Sequence, residues 1–325
     1  MTLAGTVRRL AARLIPRRAR LEAEHTTIQD VETIPRRRLT LVIGLAVLLV
    51  TIPLITLYLL LILSSFADRM LSGPDIFEAR YSLENWKLLF QGKLEPAAAQ
   101  LYTPRDLLVI IANTFIVALG VTAVVIFTSV MAGYAFSRMR FWGRRRLMEF
   151  MILLHAFPGV ALIIAVYAIY VWSLSGIPRD VLTAYRFTYT IFARAALEIP
   201  MSIWLMKGFF DKIPWEIEWS AMIDGASRFR VWWQIVLPLV KPGIAALAIF
   251  AFLAGWEDLI YVHVFLYTGG IKTLATFIEE VIGNIETAYL PIAAAAATLY
   301  LLPTIVFFVL TQKLLLEAMS GGVKG

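Results

Sequence analysis

Cysteine is absent from the 325 residues, which excludes disulfides, thiolate metal sites and cysteine nucleophiles. Histidine occurs only three times, scattered, so no His-rich metal cluster is available. Charge is scarce: Asp, Glu, Lys and Arg together make 16% of the chain against 60% hydrophobic residues. A soluble domain carries nearer a quarter charged residues, so this balance points to an integral membrane protein. The usual enzyme signatures are missing too. No Gly-x-x-x-x-Gly-Lys-Ser/Thr loop occurs, and Gly270-Ile271-Lys272-Thr273 lacks that spacing. No His-Glu-x-x-His or Gly-x-Ser-x-Gly occurs either. The chain therefore cannot hydrolyse ATP on its own residues. No secretory signal is read at the N-terminus, because the apolar run from Leu39 is too long and no small-residue cleavage site follows it.

What is present is a series of long apolar runs. About 20 such residues cross the hydrocarbon core as a helix. Leu39–Leu63, Leu107–Phe136 and Thr287–Gln312 carry no charge, and Asn113 is the most polar side chain of the second. Leu147–Leu174 is interrupted by Glu149 and His155, Tyr185–Met206 by Arg194, Glu198 and Pro200, and Gly243–Leu266 by Glu257, Asp258 and His263. Six transmembrane helices are expected, with both termini on one side. Of the 30 Lys and Arg, about 21 then fall on the N-terminal side, which makes that side cytoplasmic. The formal charge of +7 is thus topological, and nucleic acid is not an expected partner. The expected organisation is a basic cytoplasmic arm over 1–38, a first span over 39–63, an external loop over 64–106 with a short surface helix around Trp86–Phe90, a five-span core over 107–313 and a cytoplasmic tail over 314–325. The arm, with Arg at helical spacing beside Leu and Ile, reads either as an amphipathic helix on anionic membrane lipid or as a basic tail that only sets topology.

Between the fourth and fifth spans lies a polar loop, 208–243, containing PWEIEWSAMIDGASRFRVWWQIVLPLVKPG from Pro214 to Gly243. Pro214 suits a helix start, and Glu216 and Glu218 favour its positive end. Gly225, after Asp224, can close the helix in the left-handed conformation. A second amphipathic piece follows, in which Trp232, Trp233, Ile235 and Val236 are expected at the membrane surface. Leu237-Pro238 and Lys241-Pro242 then break the backbone before the next span. A short helix projecting from a bundle is suited to docking in a groove of another protein.

This spacing resembles the EAA motif of binding-protein-dependent ABC importer permeases: Glu-Ala-Ala, three residues, Gly, nine residues, Ile, one residue, Leu-Pro. Here it reads Trp219-Ser220-Ala221, Gly225, Ile235 and Leu237-Pro238. Gly255-Trp256 with Asp258 resembles the family's Trp-Asn-Asp/Glu segment, Glu257 standing in the Asn position. The ending Gly321-Gly322-Val323-Lys324-Gly325 resembles the Gly-Ala-Val-Lys-Gly tail of the carbohydrate-uptake branch, that of the maltose permease subunit MalG. The resemblance implies an all-α, type I importer (MetI-like) permease fold and a role in sugar uptake. It implies a second permease similar to MalF, two ATPase subunits similar to MalK that bind ATP and Mg, and an extracytoplasmic sugar-binding protein. No cofactor is expected in this chain. The tail residues Gly321, Gly322, Lys324 and Gly325 are expected to reach between the ATPase subunits. An importer of a non-sugar solute such as polyamine or phosphate is the nearer alternative, and an ion-coupled carrier the more distant one.

The motif Glu, which pairs with a basic ATPase residue in the family, is replaced by Trp219. Residue 216 lies one turn before 219 on nearly the same face, whereas 218 points about 100° away. Glu216 is therefore expected to supply the charge while Trp219 acts as an apolar anchor; the alternative has Trp219 among lipid headgroups. Charges inside spans cost on the order of 3 kcal/mol each. Arg194 and Glu198, four residues apart, either neutralise each other inside the bundle or line a wet pathway. Trp256, Glu257, Asp258 and Tyr261 are candidate pathway-lining groups, and His155 and His263 read as packed or hydrogen-bonded.

Overall fold

A computed structural model of the chain describes residues 36–91, 103–283 and 290–320. The expected N-terminal arm and the tail from Gly321 lie outside the described residues. Among the described residues there is no β-strand, only an isolated bridge between Ala67 and Tyr81. Two compact units are distinguished, divided after Leu60.

The first unit contributes most of helix α1, Arg36–Ser64. Its window from Thr40 is apolar all round with none of it buried in protein, the pattern of a lipid-facing helix. Thr51 and Thr56 return their hydroxyls to the carbonyls of Val47 (2.6 Å) and Ile52 (2.8 Å), which removes their polar groups from hydrocarbon.

The second unit continues through helix α2, Glu84–Gln91, the surface helix expected in the external loop. Asn85 on α2 is buried and donates to the carbonyls of Ser65 (3.1 Å) and Ala67 (2.8 Å). Helix α3 runs Pro104–Arg138, opened by a Thr103/Asp106 capping box. The third expected span is two helices, α4 Arg144–His155 and α5 Gly159–Leu174, meeting at 98°. Pro158 has no N–H to continue the helix, and Gly159 comes so close to Leu197 that a Cβ would lie 2.8 Å from its Cδ1. Helix α6, Leu182–Asp211, is continuous although it carries Arg186, Arg194, Glu198, Lys207 and Asp211. Among the described residues three helices are long and apolar enough to cross a membrane, five if each bent pair counts as one; the 30-residue α6, with its charged side chains, is not one of them.

The polar loop folds as α7 Trp215–Ile223, α8 Arg228–Val231, a π turn Trp232–Val236 and α9 Leu237–Leu239. Helix α10, Lys241–Trp256, then departs at 72° from the Arg228–Leu239 run. The fifth expected span continues only as the short α11, Ile260–Phe265, after a break at Glu257–Leu259. Helices α12 Leu274–Ile282 and α13 Leu290–Ser320 complete the chain. Asn113 finds a partner in the carbonyl of Lys272 at 2.8 Å, and the Thr114 hydroxyl accepts from the Leu274 amide at 2.9 Å.

The core forms where α3, α6 and α10 converge, around Val121, Val125, Ala195, Met206, Phe210 and Leu247. Small residues let the backbones approach. A Cβ on Gly133 of α3 would lie 2.8 Å from the Met206 Cβ and 3.1 Å from the Lys207 amide nitrogen on α6. One on Gly255 of α10 would lie 2.9 Å from the Cα of Ala118. Because backbone atoms close the space, rotamer changes cannot relieve it. Gly133→Val is expected to cost about 1–3 kcal/mol, read as loss of thermal stability of the purified protein in detergent. Gly208→Ala, inside α6 with open space at its Cβ, is expected to hold or raise that stability, by up to about 1 kcal/mol.

Candidate functional site

Helix α7 is short, and its position is fixed from outside itself. Pro214 precedes it as the N-cap in extended conformation, one residue earlier than a first-turn proline. At the other end Gly225 has φ +89°. Its amide donates to the Met222 carbonyl (3.1 Å) and the Ala226 amide to that of Ala221 (3.0 Å), a Schellman motif. Ala221 and Ala226 both pack against the main core, so the motif's Ala and the Gly four residues on form one C-terminal stop.

The strongest anchor is electrostatic. Glu218, 4% exposed, accepts from Arg138 Nε at 2.5 Å and from the Tyr134 hydroxyl at 3.1 Å. Arg138 also donates through Nη2 to the Ile213 carbonyl at 2.7 Å, and its guanidinium stacks 4.6 Å from the Trp215 ring centroid. Ser137 donates to Asp211 at 2.6 Å, and Asp211 pairs with Lys207. The end of α3 thus holds α7 at its first turn and the end of α6 through a neighbouring bond. Glu216 and Ser220 are exposed, and Trp219, 54% exposed, stacks loosely on Trp215 with centroids 6.0 Å apart. Beside them lies a cavity of about 460 Å³ lined by aromatic rings, among them Trp215, Trp219, Phe229 and Trp232, with Arg138 and Glu218 in its wall.

The second piece differs from expectation. Val236 is fully buried, and Trp232, Ile235 and Leu237 pack against the core. Of the four residues expected at the membrane surface, Trp233 alone is exposed. Amphipathicity marks an apolar face but not whether protein or lipid covers it. The π turn follows from the sequence: Pro238 lacks an amide and its ring crowds the preceding turn. Widening the backbone, with the Leu237 amide bonded to the Trp232 carbonyl, lets the helix run through it. Ser227 caps this piece by accepting from the Arg230 amide at 3.3 Å.

A second polar cluster sits at the break after α10. Asp258 accepts from the amides of Tyr261 (2.8 Å) and Val262 (3.1 Å), filling two orphan donors at the start of α11. Its other oxygen lies 2.7 Å from Arg194 Nε, and Arg194 Nη1 donates to Glu198 at 2.9 Å. Arg194, Glu198, Asp258 and Tyr261 line a cavity of about 490 Å³ beside the α4–α5 bend. Trp256 and Glu257 are not among its lining residues. Trp256 is 1% exposed and exchanges hydrogen bonds with Tyr300 of α13 at 3.1 and 2.9 Å, while Glu257 is exposed. His155 Nδ1 donates to the Leu197 carbonyl (3.1 Å), and His263 Nδ1 contacts a Glu279 carboxylate oxygen (2.8 Å). The expected tail contacts, Gly321, Gly322, Lys324 and Gly325, lie outside the described residues. Sequence reading passed over Tyr134 and Arg138 as site residues, although their i, i+4 spacing at the end of an uncharged span marks one polar face.

Removing one member of a buried pair leaves the other uncompensated, at a cost of about 3–5 kcal/mol. Glu218→Ala is expected to raise amide hydrogen exchange across Trp215–Ile223 by about a hundredfold or more in the full chain. Glu216→Ala is expected to leave that exchange unchanged.

Residues 125–321 match the family described as binding-protein-dependent transport system inner membrane component. The maltodextrin transport system permease protein MdxG of Bacillus subtilis is 32% identical over 281 residues, covering 85% of this chain and 94% of the relative. The maltose/maltodextrin permease protein MalG of Salmonella typhimurium is 29% identical, covering 89% and 97% respectively. Among solved structures, a bacterial ABC transporter involved in import of the acidic polysaccharide alginate aligns with a TM-score of 0.58 at 18% identity. That alignment covers 86% of this chain and 98% of the other. With its helical spans, its short clamped helix and this match over most of its length, the chain belongs to the family of binding-protein-dependent transport system inner membrane components.

Proposed function

We propose that this chain is the membrane-spanning permease of an ATP-driven sugar importer, coupled to its ATPase through α7. The observation that carries the reading is a helix clamped to the bundle by a buried ion pair while Glu216, Trp219 and Ser220 stay exposed. The maltodextrin and maltose permeases among its relatives support a sugar as cargo. In this reading a second permease, similar to MalF, completes the pathway, and two ATPase subunits similar to MalK bind ATP and Mg on the cytoplasmic side. A binding protein delivers sugar from outside. In this reading both termini are cytoplasmic, which the distribution of Lys and Arg supports. The chain itself is not catalytic: closure of the ATPase dimer moves α7, and the spans rock between inward- and outward-facing arrangements. The cavity around Arg194, Glu198 and Asp258 is the candidate pathway lining, since buried charges in a membrane protein commonly face a wet interior.

Glu218 is committed within the chain, so Glu216 is the carboxylate that reaches the ATPase and Trp219 supplies apolar contact. Glu216→Ala is expected to weaken assembly with the ATPase about tenfold or more, the order of a charge-assisted hydrogen bond of about 1.5 kcal/mol. Co-purification and ATP-dependent maltodextrin uptake in proteoliposomes measure this. If Glu216→Ala assembles and transports like the parent while Glu218→Ala uncouples, Glu216 is not the contact. The absence of native cysteine makes sidedness directly accessible. A membrane-impermeant maleimide is expected to label Ser220→Cys in inverted vesicles and not in intact cells.

A further inference from the structure

The connection from α3 to α4 forms a basic pocket on the same side of the bundle as α7. It has a volume of about 760 Å³ and is lined by Arg144, Arg145, Arg146, Lys207, Phe141 and Trp142, together with the carboxylate residue Glu149. Two of its four cations are spoken for. Arg145 pairs with Glu149 at 2.8 Å and Lys207 with Asp211. Arg144 donates to the Met139 carbonyl at 3.3 Å, a neutral partner, and Arg146 makes no ion pair among the described residues. The pocket therefore keeps an excess of two positive charges. Gly143 at the N-cap of the 12-residue α4 supplies no side-chain cap, so first-turn amides add to the same positive end.

The apolar surroundings decide what kind of anion fits. Trp142 is 92% exposed and Phe141 is exposed beside it, although burying them would be favourable in water. Aromatic rings are enriched at the level of lipid headgroups. From the arginines, Leu147, Phe150 and Leu154 continue along one stripe of α4, all exposed, where acyl chains can lie. The volume is in the range of pockets that hold whole small molecules rather than a bare ion. We infer that this pocket binds the phosphodiester headgroup of an anionic phospholipid of the inner leaflet, held by Arg144 and Arg146 with Trp142 at the interface. Its placement in the inner leaflet rests on the cytoplasmic orientation proposed above; the binding itself does not.

The test uses the full chain assembled with its partner subunits in a neutral detergent, where no membrane surface potential acts. Phosphatidylglycerol and phosphatidylcholine are titrated separately and bound lipid is counted by native mass spectrometry. Phosphatidylglycerol is expected to bind in preference. A cation beside an anionic lipid contributes about fivefold, so R144Q/R146Q is expected to weaken binding about thirtyfold. R140Q, the same charge loss at an exposed residue outside the pocket, is expected to change it less than twofold. Equal loss in R140Q, unchanged binding in R144Q/R146Q, or no preference over phosphatidylcholine overturns the assignment. Displacement of the lipid by millimolar inorganic phosphate also overturns it, in favour of a soluble anion. Because bound lipid is counted directly, failure of sugar uptake in the same preparation bears only on the transport reading.

Discussion

The ion pair between Arg138 and Glu218 fixes the relation of α7 to the membrane bundle. A nine-residue helix has too few hydrogen bonds to persist alone in water. Here its first turn is tied to the last turn of α3 by a carboxylate that is out of solvent and bonded on both oxygens. Burying two charges is costly, and such a pair seldom adds much net stability over an apolar contact. It does demand a particular geometry. The guanidinium fork has to meet Glu218, the Ile213 carbonyl and the Trp215 ring at once, and few placements of α7 allow that.

The rest of the segment adapts to this placement. The Schellman motif at Gly225 ends the helix while keeping Ala221 and Ala226 on the core, and the π turn before Pro238 allows the next piece to stay packed up to Val240. Motif residues that look unrelated in sequence are therefore parts of one construction: a stop, a turn and a passage through proline. The polar break in the fifth span follows the same logic. Asp258 is tolerated in an apolar region because a helix start and Arg194 both need it.

Much of this was legible in the sequence because lipid and water impose blunt rules. The three charge-free runs each marked a long helix, α1, α3 and α13, and Pro214 and Gly225 bracketed α7 closely. The bend in the third span was missed because hydropathy is insensitive to direction, although Pro158 lies at the break. Nor does helical spacing say which face is inward. It separated Glu216 from Glu218, but only the position of Arg138, 80 residues away in sequence, shows that Glu218 is the buried one. Trp232, Ile235 and Val236 were misjudged for the same reason, because their cover is a distant part of the chain.

The length of α3 gives the clamp a mechanical meaning. Its 35 residues make a rod of about 52 Å, gripped at one end by α7 and crossed along its length by α6 and α10. With little slack at the grip, a tilt of about 6° displaces the far end by about 5 Å, one helical pitch. The close backbone contacts at Gly133, and at Ala118 beneath Gly255 of α10, lie along this rod and brace it against α6 and α10, so a push on α7 bears on all three helices together.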